Sequence, residues 1–567
     1  MQEPDTTPET GAEALLMALR AVGVRYLFAN AGTDFPPVIE ALSRLPSGSM
    51  PVPLTIPHET AAVAMAHGFW LVTGEAQALM VHVNVGLANA VMGVINAMSD
   101  NVPIIVLSGR TPLTETGRTG GRASPIQYGQ EMFDQTSMVR DSVKFAYEVR
   151  YPEQFDSVLR RAAAIAQSVP EGPVYLSLPR EPLCEPLPAG FAPAPQQAPA
   201  RLGAADAGAT AELAGWLGAA KSPLLLCQRG DLRGALSAEL SRFAADFGIA
   251  VCEPFPVRNV LASEDPALVG YDPGAALRDA DLVIVLNSGV PWIAASSPPD
   301  PAARIVHIGP DPLFGRMPVR GYRSDLTLTA DPLAALQSLR AAMPEARQAH
   351  ERTGQIAART AARRQKAADA AQAPDRGGAM SPAWFSRCVS DIMDDDAVAF
   401  SELGLMPGFM VLKGPNRLFS SPHSGGLGWG LAAALGAQLA DRDRLVIAAL
   451  GDGSYMFANP VACHQIAEAL GLPVLIVIKN NASWNAVRRS VVNGYPDGAA
   501  VRRNEVPLTS LSPMPDFAAI AAASRAHSER VEHGADLPAA LARAVGVIRS
   551  ERRHVLLDVR VAATDAF

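Results

Sequence analysis

Short, continuous apolar runs alternate with longer helix-like stretches along most of this chain. In its first third, four such runs are bounded by turn residues, at 26–30, 78–83, 103–108 and 174–178. Runs that are apolar on both faces are typical of strands in parallel sheets, which helices cover on both sides. The pattern therefore predicts an α/β fold with doubly wound parallel sheets.

The same alternation returns twice more, separated by segments of different composition. Residues 188–195 are rich in proline and alanine and predict a linker, and residues 345–375 are charged and alanine-rich and predict an exposed connector helix. We therefore expect three domains, at 1–186, 205–345 and 380–562, each built on a parallel sheet. Further strands are predicted at 224–226, 249–251, 282–286, 305–308, 397–400, 445–450 and 474–478.

Composition and charge argue against several classes of protein. Of the 567 residues, 49% are hydrophobic and 18% charged, so large cores can form, while the net charge of −8 and the lack of a basic block argue against nucleic acid as a partner. No apolar run reaches the length of a membrane span, and residues 1–13 lack the pattern of a signal peptide. The five cysteines are scattered without a Cys-x-x-Cys pair, which is typical of reduced thiols, so we expect a cytoplasmic protein.

The stretch from Gly451 to Asn481 carries the most specific chemistry. One predicted buried strand ends just before Asp452, which lies between two glycines, and the next ends at Asn480 and Asn481. In a parallel βαβ unit both strand ends open onto the crevice where α/β sheets bind ligands. Asp452 and Asn481 are therefore expected to meet in space.

These two side chains suit a magnesium ion beside a diphosphate. Mg²⁺ prefers hard oxygen ligands and is commonly held by one or two protein groups together with phosphate oxygens. Gly453 would let the chain approach a diphosphate, and the backbone N–H groups around Ser454 would face its oxygens. Gly-Asp-Gly alone is a common turn and Asn-Asn a common strand end, but the two together, each at the end of a strand, favour the metal site.

This block resembles the thiamine-diphosphate-binding motif of the superfamily that contains acetolactate synthase, pyruvate decarboxylase and benzoylformate decarboxylase, which opens with Gly-Asp-Gly and closes with Asn-Asn. The resemblance implies metal ligation by the side chains of Asp452 and Asn481 and by the backbone carbonyl of Ser483. It also implies the order of the three domains, which is pyrimidine-binding, central and diphosphate-binding. The segment at 457–460 is slightly longer than in the usual form of the family, which leaves the start of the next helix open.

The superfamily also uses a carboxyl group that hydrogen-bonds to the aminopyrimidine ring of the coenzyme in a pocket poor in water. Glu59 is the candidate, because His58 and Glu59 precede an alanine-rich helix that reaches Gly68, as at the activating glutamate of the family. Taken alone, a glutamate in the first turn of a helix would be read as a capping residue.

Two more segments match coenzyme-binding loops of the superfamily. The carbonyl of Gly425 is implied to accept from the 4′-amino group, and Leu427 is implied to bend the coenzyme so that its reacting atoms meet; alone, Leu427 would be an ordinary core leucine. The loop implied to hold the diphosphate contains Ser401, Glu402, Gly404 and Leu405. Because the glutamate and diphosphate halves come from different subunits in the family, the resemblance also implies a homodimer or homotetramer with active sites at the subunit interface.

The substrate side of the site depends on weaker matches. Thr33 follows the first predicted strand and matches a serine of benzoylformate decarboxylase, and His82 matches the active-site histidine of that enzyme. A histidine there could relay protons, although it could equally be a structural histidine at a strand end.

Four residues near these positions have open roles. Gln127 and Gln130 lie where relatives place a glutamine near the reacting carbon, and Gln130 is taken as a catalytic candidate. Trp484 and Arg488 could shape the pocket and meet a carboxylate, or Arg488 could be a solvated helix residue.

The resemblance implies an acetolactate-synthase-like enzyme, dependent on thiamine diphosphate and Mg²⁺, that decarboxylates a small 2-oxo acid and then ligates or releases the resulting carbanion or enamine. Alternatives within the superfamily are a benzoylformate-type non-oxidative decarboxylase and a 2-hydroxyacyl-CoA lyase, so transferase and lyase chemistry both stay open. FAD, which acetolactate synthases bind in the central domain, is possible but not expected, because residues 227–234 lack a clean dinucleotide fingerprint.

Two hypotheses lie outside these activities. A non-catalytic coenzyme-binding homologue would keep the diphosphate site but would not need the carboxyl group of Glu59. An NAD-type doubly wound enzyme would carry a Gly-x-Gly-x-x-Gly fingerprint after a strand, and the predicted strands are not followed by one.

Overall fold

The computed structural model describes residues 7–343, 349–376 and 379–562. Parts of the expected first domain (1–6) and of the expected central domain and connector (344–348) lie outside these ranges. The chain forms two compact units: the first contains the residues up to Arg201, Pro422–Arg442 and Phe457–Leu472, and the second contains Leu202–Ser421, Asp443–Met456 and the residues from Pro473 onward. Among the described residues, the helices are all too short or too polar to cross a membrane.

Six parallel strands form the sheet of the first unit: β1 (Tyr26–Ala29), β2 (Val52–Thr55), β3 (Gln77–Val81), β4 (Ile104–Arg110), β5 (Ala146–Glu148) and β6 (Val174–Pro179). Their order is β2-β1-β3-β4-β6-β5. The helices in this part of the chain are α1 (Gly11–Ala21), α2 (Pro36–Arg44), α3 (Glu59–Thr73), α4 (Val83–Ser99), α5 (Ile126–Gly129), α6 (Gln154–Gln167) and α7 (Arg180–Cys184).

The second unit holds a central parallel sheet: β7 (Pro223–Cys227), β8 (Ala250–Cys252), β9 (Leu268–Gly270), β10 (Leu282–Leu286), β11 (Arg304–Gly309) and β12 (Leu326–Thr329). Their order is β12-β11-β10-β7-β8-β9. The helices here are α8 (Ala207–Ala219), α9 (Ala235–Phe247), α10 (Gly274–Asp279), α11 (Pro332–Ala342) and α12 (Ala349–Ala370), and the antiparallel pair β13 (Asp375–Arg376) and β14 (Ala379–Met380) follows.

A third parallel sheet, also in the second unit, contains β15 (Val398–Glu402), β16 (Leu418–Ser420), β17 (Val446–Gly451), β18 (Leu475–Asn480), β19 (His527–Val531) and β20 (Val555–Arg560), in the order β16-β15-β17-β18-β20-β19. The helices of this region are α13 (Pro382–Asp391), α14 (Trp429–Ala440), α15 (Asp452–Phe457), α16 (Pro460–Ala469), α17 (Asn485–Gly494), α18 (Ala499–Arg502), α19 (Phe517–Ala522) and α20 (Leu537–Glu551). Of these, α14 and α16 belong to the first unit.

The first and the third sheet each contain one point at which the strand order reverses. In the first sheet the chain passes from β1 to β2 on one side and then returns to β3 on the other side of β1. The third sheet repeats this path with β15, β16 and β17. In open α/β sheets the crevice at the carboxyl ends of such a strand pair is the usual ligand site.

Two small-residue helices pack closely inside the first unit. Helix α3 is buried from Glu59 to Leu71, as expected for a helix that is apolar on all sides. A Cβ on Gly68 would lie 1.9 Å from the carbonyl oxygen of Ala433 in α14, and a Cβ on Gly436 would lie 2.0 Å from that of Met65. The two backbones therefore approach through glycines, which explains why both helices are rich in glycine and alanine.

The predicted α/β fold with parallel sheets is confirmed, and every predicted strand is present with ends shifted by at most a few residues. The strand expected at 78–83 ends at Val81, because His82 caps α4 and Val83 already begins it. In the three six-stranded sheets, the strands that the apolar pattern missed are the two edge strands of each sheet, namely β2 and β5, β9 and β12, and β16 and β19, together with β20, which pairs with the edge strand β19.

Candidate active site

Asp452 and Asn481 meet at the carboxyl ends of β17 and β18. Asp452 is the first residue of α15 and is 3% exposed. Its Oδ1 accepts from the N–H of Gly453 (2.8 Å) and its Oδ2 from the N–H of Asn481 (3.0 Å). Burial raises the pKa of Asp452, and the backbone N–H groups that donate to it oppose that shift. A cation beside this carboxylate would offset its lost hydration.

The two consecutive asparagines have different structural roles. Asn480 points away from Asp452: its Nδ2 donates to Asp558 (2.8 Å), and its Oδ1 accepts from the N–H of Ala482 (3.2 Å). Asn481 Oδ1 accepts from the N–H of Ser483 (3.0 Å). Asn480 therefore shapes the turn that holds Asn481 and Ser483 near Asp452.

The donor groups at this turn fit a magnesium ion that also binds a phosphate group. They comprise one carboxylate (Asp452), one amide (Asn481) and the backbone carbonyl of Ser483, all of them hard oxygen donors. Across the described ranges, groups of three or more His, Cys, Asp or Glu side chains that could hold a metal ion are absent. A cation held here would need further oxygen ligands, such as those of a diphosphate.

A cavity of about 240 Å³ adjoins these residues in the second unit. Two cationic side chains, Lys479 and Arg489, line it. Burial and the charge of Arg489 lower the pKa of Lys479 to about 8, and Asp452 opposes that shift. Lining residues that the sequence had singled out are Ser401, Leu405, Asp452, Gly453, Ser454, Asn481, Ser483 and Trp484.

Lys479 and Arg489, which line the cavity, were not among the candidates from the sequence. The sequence contained a signal for Lys479, because it directly follows the buried strand predicted at 474–478. Lysine is rarely buried there without an anionic partner. Arg489 lines the cavity, whereas the candidate that the sequence suggested, Arg488, is half-exposed on the same helix. Two cations in a small cavity favour an anionic occupant.

Glycines bring the neighbouring segments close together. A Cβ on Gly404 would lie 2.4 Å from the carbonyl oxygen of Ala449, so this loop needs glycine at its turn. Ser401 Oγ accepts from the N–H of Leu405 (2.9 Å), and Glu402 is fully buried at the end of β15. A Cβ on Gly453 would lie 2.1 Å from the ring of Trp484, so the indole lies against this glycine.

The carboxyl group of Glu59 lies at the start of α3 in the first unit. His58 caps the helix by accepting from the N–H of Thr60 (3.2 Å), and Glu59 is 8% exposed. Its Oε2 accepts from Nδ2 of Asn89 in α4 (3.1 Å). A Cβ on Gly86 would lie 3.1 Å from Oε1, so a small residue of α4 makes room for the carboxyl group.

His82 lies at the switch point between β1 and β3, within a chain of hydrogen bonds. Its Nδ1 is 2.5 Å from Oδ1 of Asp34, and its Nε2 is 3.1 Å from Nε2 of Gln130. The hydrogen bond to Asp34 raises the pKa of His82, and the charges of Asp34 and Glu59 act in the same direction against the effect of burial. The imidazole can therefore carry a proton close to Glu59.

Asp34, the partner of His82, was not among the candidates from the sequence. Its Oδ2 also accepts from the N–H of Val83 (3.2 Å), a β-branched residue with φ of +32°, which is a strained backbone conformation. A Cβ on Gly32 would lie 2.1 Å from Nδ1 of His82, and one on Gly109 only 1.5 Å from Oδ2 of Asp34. The usable signal was the position of Asp34 just after β1, at a switch point.

The remaining sequence candidates near His82 differ in their surroundings. Gln127 is buried, and its Oε1 accepts from the N–H groups of Ala123 (2.6 Å) and Ser124 (3.2 Å), which gives it a structural contact within its own loop. Gln130 is the glutamine that reaches His82. Thr33 is exposed in the turn that leads to Asp34.

Gly425 and Leu427 lie in the loop that leads into α14. Gly425 has φ of +72° and Gly428 has φ of +88°, a conformation that favours glycine. A Cβ on Gly428 would lie 2.5 Å from the carbonyl oxygen of Phe457. Leu427 is half-buried.

Comparison with known proteins identifies the family. Three thiamine pyrophosphate enzyme models match, the N-terminal TPP binding domain over residues 9–138, the central domain over 210–339 and the C-terminal TPP binding domain over 404–559. The chain is 27% identical over 543 residues to the acetolactate synthase large subunit of Parasynechococcus marenigrum, covering 91% of this chain and 82% of that relative. It is 26% identical over 504 residues to benzoylformate decarboxylase of Pseudomonas aeruginosa, covering 83% and 85%.

A solved structure shares the fold. It is the thiamine diphosphate-dependent 4-hydroxybenzoylformate decarboxylase of Rhodococcus jostii, with a TM-score of 0.78 and 23% identity over 98% of this chain and 100% of that one. Together with the three matching models, these findings confirm the resemblance seen in the sequence. The chain belongs to the thiamine pyrophosphate enzyme family, in the group of acetolactate synthase and benzoylformate decarboxylase.

Proposed function

We propose that this enzyme uses thiamine diphosphate and Mg²⁺ to remove CO₂ from a small 2-oxo acid. The observation that carries the proposal is the turn at which Asp452, Asn481 and Ser483 lie together beside a cavity lined by Lys479 and Arg489. Oxygen donors and cations side by side suit a metal ion and a diphosphate. When bound, the coenzyme supplies an electron sink that lets a 2-oxo acid lose its carboxylate.

We assign the metal to the side chains of Asp452 and Asn481 and the carbonyl of Ser483. The diphosphate would lie along the cavity, where Ser401, Leu405 and Ser454 also contribute to the wall. FAD is not part of the proposal, because residues 227–234, which include the end of β7 and the turn after it, lack a clean dinucleotide fingerprint.

Glu59 would hold a proton against the ring of the aminopyrimidine. Its low exposure supports this role, since a carboxyl group shielded from water can share a proton with a ring nitrogen. The carboxyl group also accepts from Asn89, which fixes one of its oxygens and leaves the other to the ligand. Following the family, we propose that Glu59 and the diphosphate residues of one active site come from two protomers.

His82 would deliver the proton that ends the reaction with release of an aldehyde. The hydrogen bond with Asp34 favours the protonated imidazole, and the amide of Gln130 lies at the far ring nitrogen, where it can accept from a protonated ring only through its oxygen. A proton donor at this position supports protonation of the carbanion or enamine that remains after CO₂ is lost, in preference to its ligation to a second carbonyl compound. Thr33 would face the same substrate, as the match with benzoylformate decarboxylase suggests.

Ligation is the second candidate, because the chain matches acetolactate synthase over most of both sequences. A substrate panel distinguishes the two: pyruvate, 2-oxobutyrate, benzoylformate, oxalyl-CoA and a 2-hydroxyacyl-CoA, with CO₂, aldehyde and acyloin measured for each. The proposal expects CO₂ and an aldehyde from at least one 2-oxo acid, with His82→Gln losing most of that aldehyde. Acyloin as the main product would favour ligation, cleavage only of the 2-hydroxyacyl-CoA would favour the lyase, and a lack of turnover with bound coenzyme would favour a non-catalytic homologue.

A further inference from the structure

A buried asparagine in the first unit holds the loop at 424–426 with three hydrogen bonds. Asn96 lies in the last turn of α4 and is 1% exposed. Its Nδ2 donates to the carbonyl of Gly426 (2.9 Å), and its Oδ1 accepts from the N–H of Gly426 (3.2 Å) and from the hydroxyl of Ser424 (2.7 Å). One amide therefore satisfies both backbone polar groups of a residue far away in sequence.

The shape of the loop depends on this contact. A Cβ on Gly426 would lie 2.4 Å from Sδ of Met92 and 2.6 Å from Oδ1 of Asn96, so the loop lies directly on α4. Ser424 and Gly425 are themselves exposed, and Gly425 has room for a Cβ without any contact within 4 Å. The conformation of this exposed loop is thus set by the residue beneath it.

The packing of α4 does not by itself require a polar side chain at position 96. An apolar side chain of similar shape would fill the same space, and burying an amide is favourable only when its hydrogen bonds are made. The three bonds to the loop are the partners that the structure gives this amide, apart from a 3.4 Å contact with Sδ of Met92. The amide of Asn96 is therefore explained by the loop.

We propose that Asn96 is a positioning residue for the coenzyme. It fixes the loop that carries Gly425 and Leu427, the two residues assigned to the aminopyrimidine amino group and to the bent coenzyme. This inference rests on the proposed function, since only that function gives the loop a ligand. Asn96 acts through the loop and is not itself a catalytic residue.

The test compares Asn96→Leu with Gln77→Leu in the full-length protein. Gln77 is a matched control, because it is a fully buried amide of the same unit that also makes three hydrogen bonds, all of them with backbone groups, of Arg25 (3.0 Å), Tyr26 (2.9 Å) and Glu75 (3.1 Å). Dissociation constants for thiamine diphosphate are measured by calorimetry at saturating Mg²⁺, and amide hydrogen exchange is measured over residues 420–430.

Both variants should lose a similar amount of thermal stability, but only Asn96→Leu should bind the coenzyme more weakly, by about tenfold, and exchange faster in the loop. Equal coenzyme affinity in the two variants would overturn the role of Asn96 while leaving the proposed function intact. If the wild-type protein does not bind the coenzyme, the proposed function fails and this inference with it.

A second variant covers the case in which Asn96→Leu does not fold. Ser424→Ala removes one of the three bonds from the exposed side, where a substitution disturbs the core least. It should raise the dissociation constant about two- to threefold, and an unchanged value would count against the proposal.

Discussion

The imidazole of His82 and the carboxylate of Asp34 form a direct contact, with 2.5 Å between Nδ1 and Oδ1. Asp34 also accepts from the N–H of Val83, so one carboxylate holds both the ring and the strained backbone that follows it. The two residues follow β1 and β3, which are neighbours at the switch point of the first sheet. A histidine–carboxylate pair is thereby held at the place where α/β sheets usually bind their ligands.

Asp34→Asn should lower the pKa of His82. The pKa in the folded protein lies above the ordinary value of 6.5, mainly because of the hydrogen bond to Asp34. The protonated form is therefore favoured, and its stabilising effect is present below about 6.5 and is lost as the pH rises through the folded-state value. The pH profile of kcat should show an ionisation above 6.5 in the wild type that moves to lower pH in Asp34→Asn, with about tenfold lower activity at neutral pH.

A second buried His–Asp pair provides the control for that experiment. His67 and Asp100 lie 3.4 Å apart in the same unit and are not assigned to the active site. Asp100→Asn should change thermal stability but leave the pH profile in place. If both variants shift the profile equally, the shift reflects general damage and the role of Asp34 is wrong.

Gly109→Ala should displace Asp34. The added Cβ would overlap Oδ2 of Asp34, and the surroundings in β4 are fully buried. Overpacking of this kind costs about 1–3 kcal/mol of stability, and the displaced carboxylate should shift the pH profile in the same direction as Asp34→Asn. Gly129→Ala is the matched control, because its Cβ would meet open space; a wild-type profile in Gly109→Ala would contradict the expectation.

Glu59→Gln should separate coenzyme binding from coenzyme activation. The amide keeps the size of the side chain and a hydrogen-bonding partner for Asn89, so thiamine diphosphate should still bind within a fewfold of the wild-type affinity. Proton exchange at C2 of the bound coenzyme, followed by NMR in D₂O, should slow by at least about 10²-fold, because the carboxyl group no longer shares a proton. An exchange rate equal to that of the wild type would remove Glu59 from the assigned role.

Lys479→Met should weaken coenzyme binding without loss of stability. Lys479 lies beside Arg489, and burial disfavours its charge, so removing that charge should leave the melting temperature equal or higher. A dianionic or trianionic diphosphate would lose a cationic partner, and we expect about tenfold weaker binding with a smaller dependence on salt. Lys413→Met is the surface control, since Lys413 is half-exposed beside Asp395; equal affinity in the two variants would argue against an anion next to Lys479.

Sequence reasoning predicted that Asp452 and Asn481 meet, because strand ends converge in this fold. The apolar runs before Asp452 and Asn481 identified two neighbouring parallel strands, and the structure places Oδ2 of Asp452 3.0 Å from the backbone nitrogen of Asn481. The same logic would have selected Asp34, which follows β1, but the strand order that makes β1 and β3 neighbours is not visible in a local pattern. Edge strands were missed because they lack a continuous apolar run. In β2, for example, three of the four residues are exposed.

Contacts set by tertiary structure were also beyond the sequence pattern. Asn480 and Asn481 are the same residue type, yet Asn480 donates to Asp558 and Asn481 lies beside Asp452. Between the end of α15 at Phe457 and the start of α16 at Pro460, Asn459 has φ of +52°, so the segment forms two helices instead of one. Neither result follows from local propensity, because both depend on what packs against the segment.

The most direct test of the account is a thermal unfolding experiment on the wild type and Asp452→Ala, each with thiamine diphosphate alone, Mg²⁺ alone and both together. Ligand bound only to the folded state raises the melting temperature, here by roughly 3–8 °C at saturating concentrations. We predict this rise for the wild type when both are present and its loss in Asp452→Ala, because we assign the metal to the carboxylate at the end of β17. A full, Mg²⁺-dependent rise in Asp452→Ala would contradict the assignment of the site.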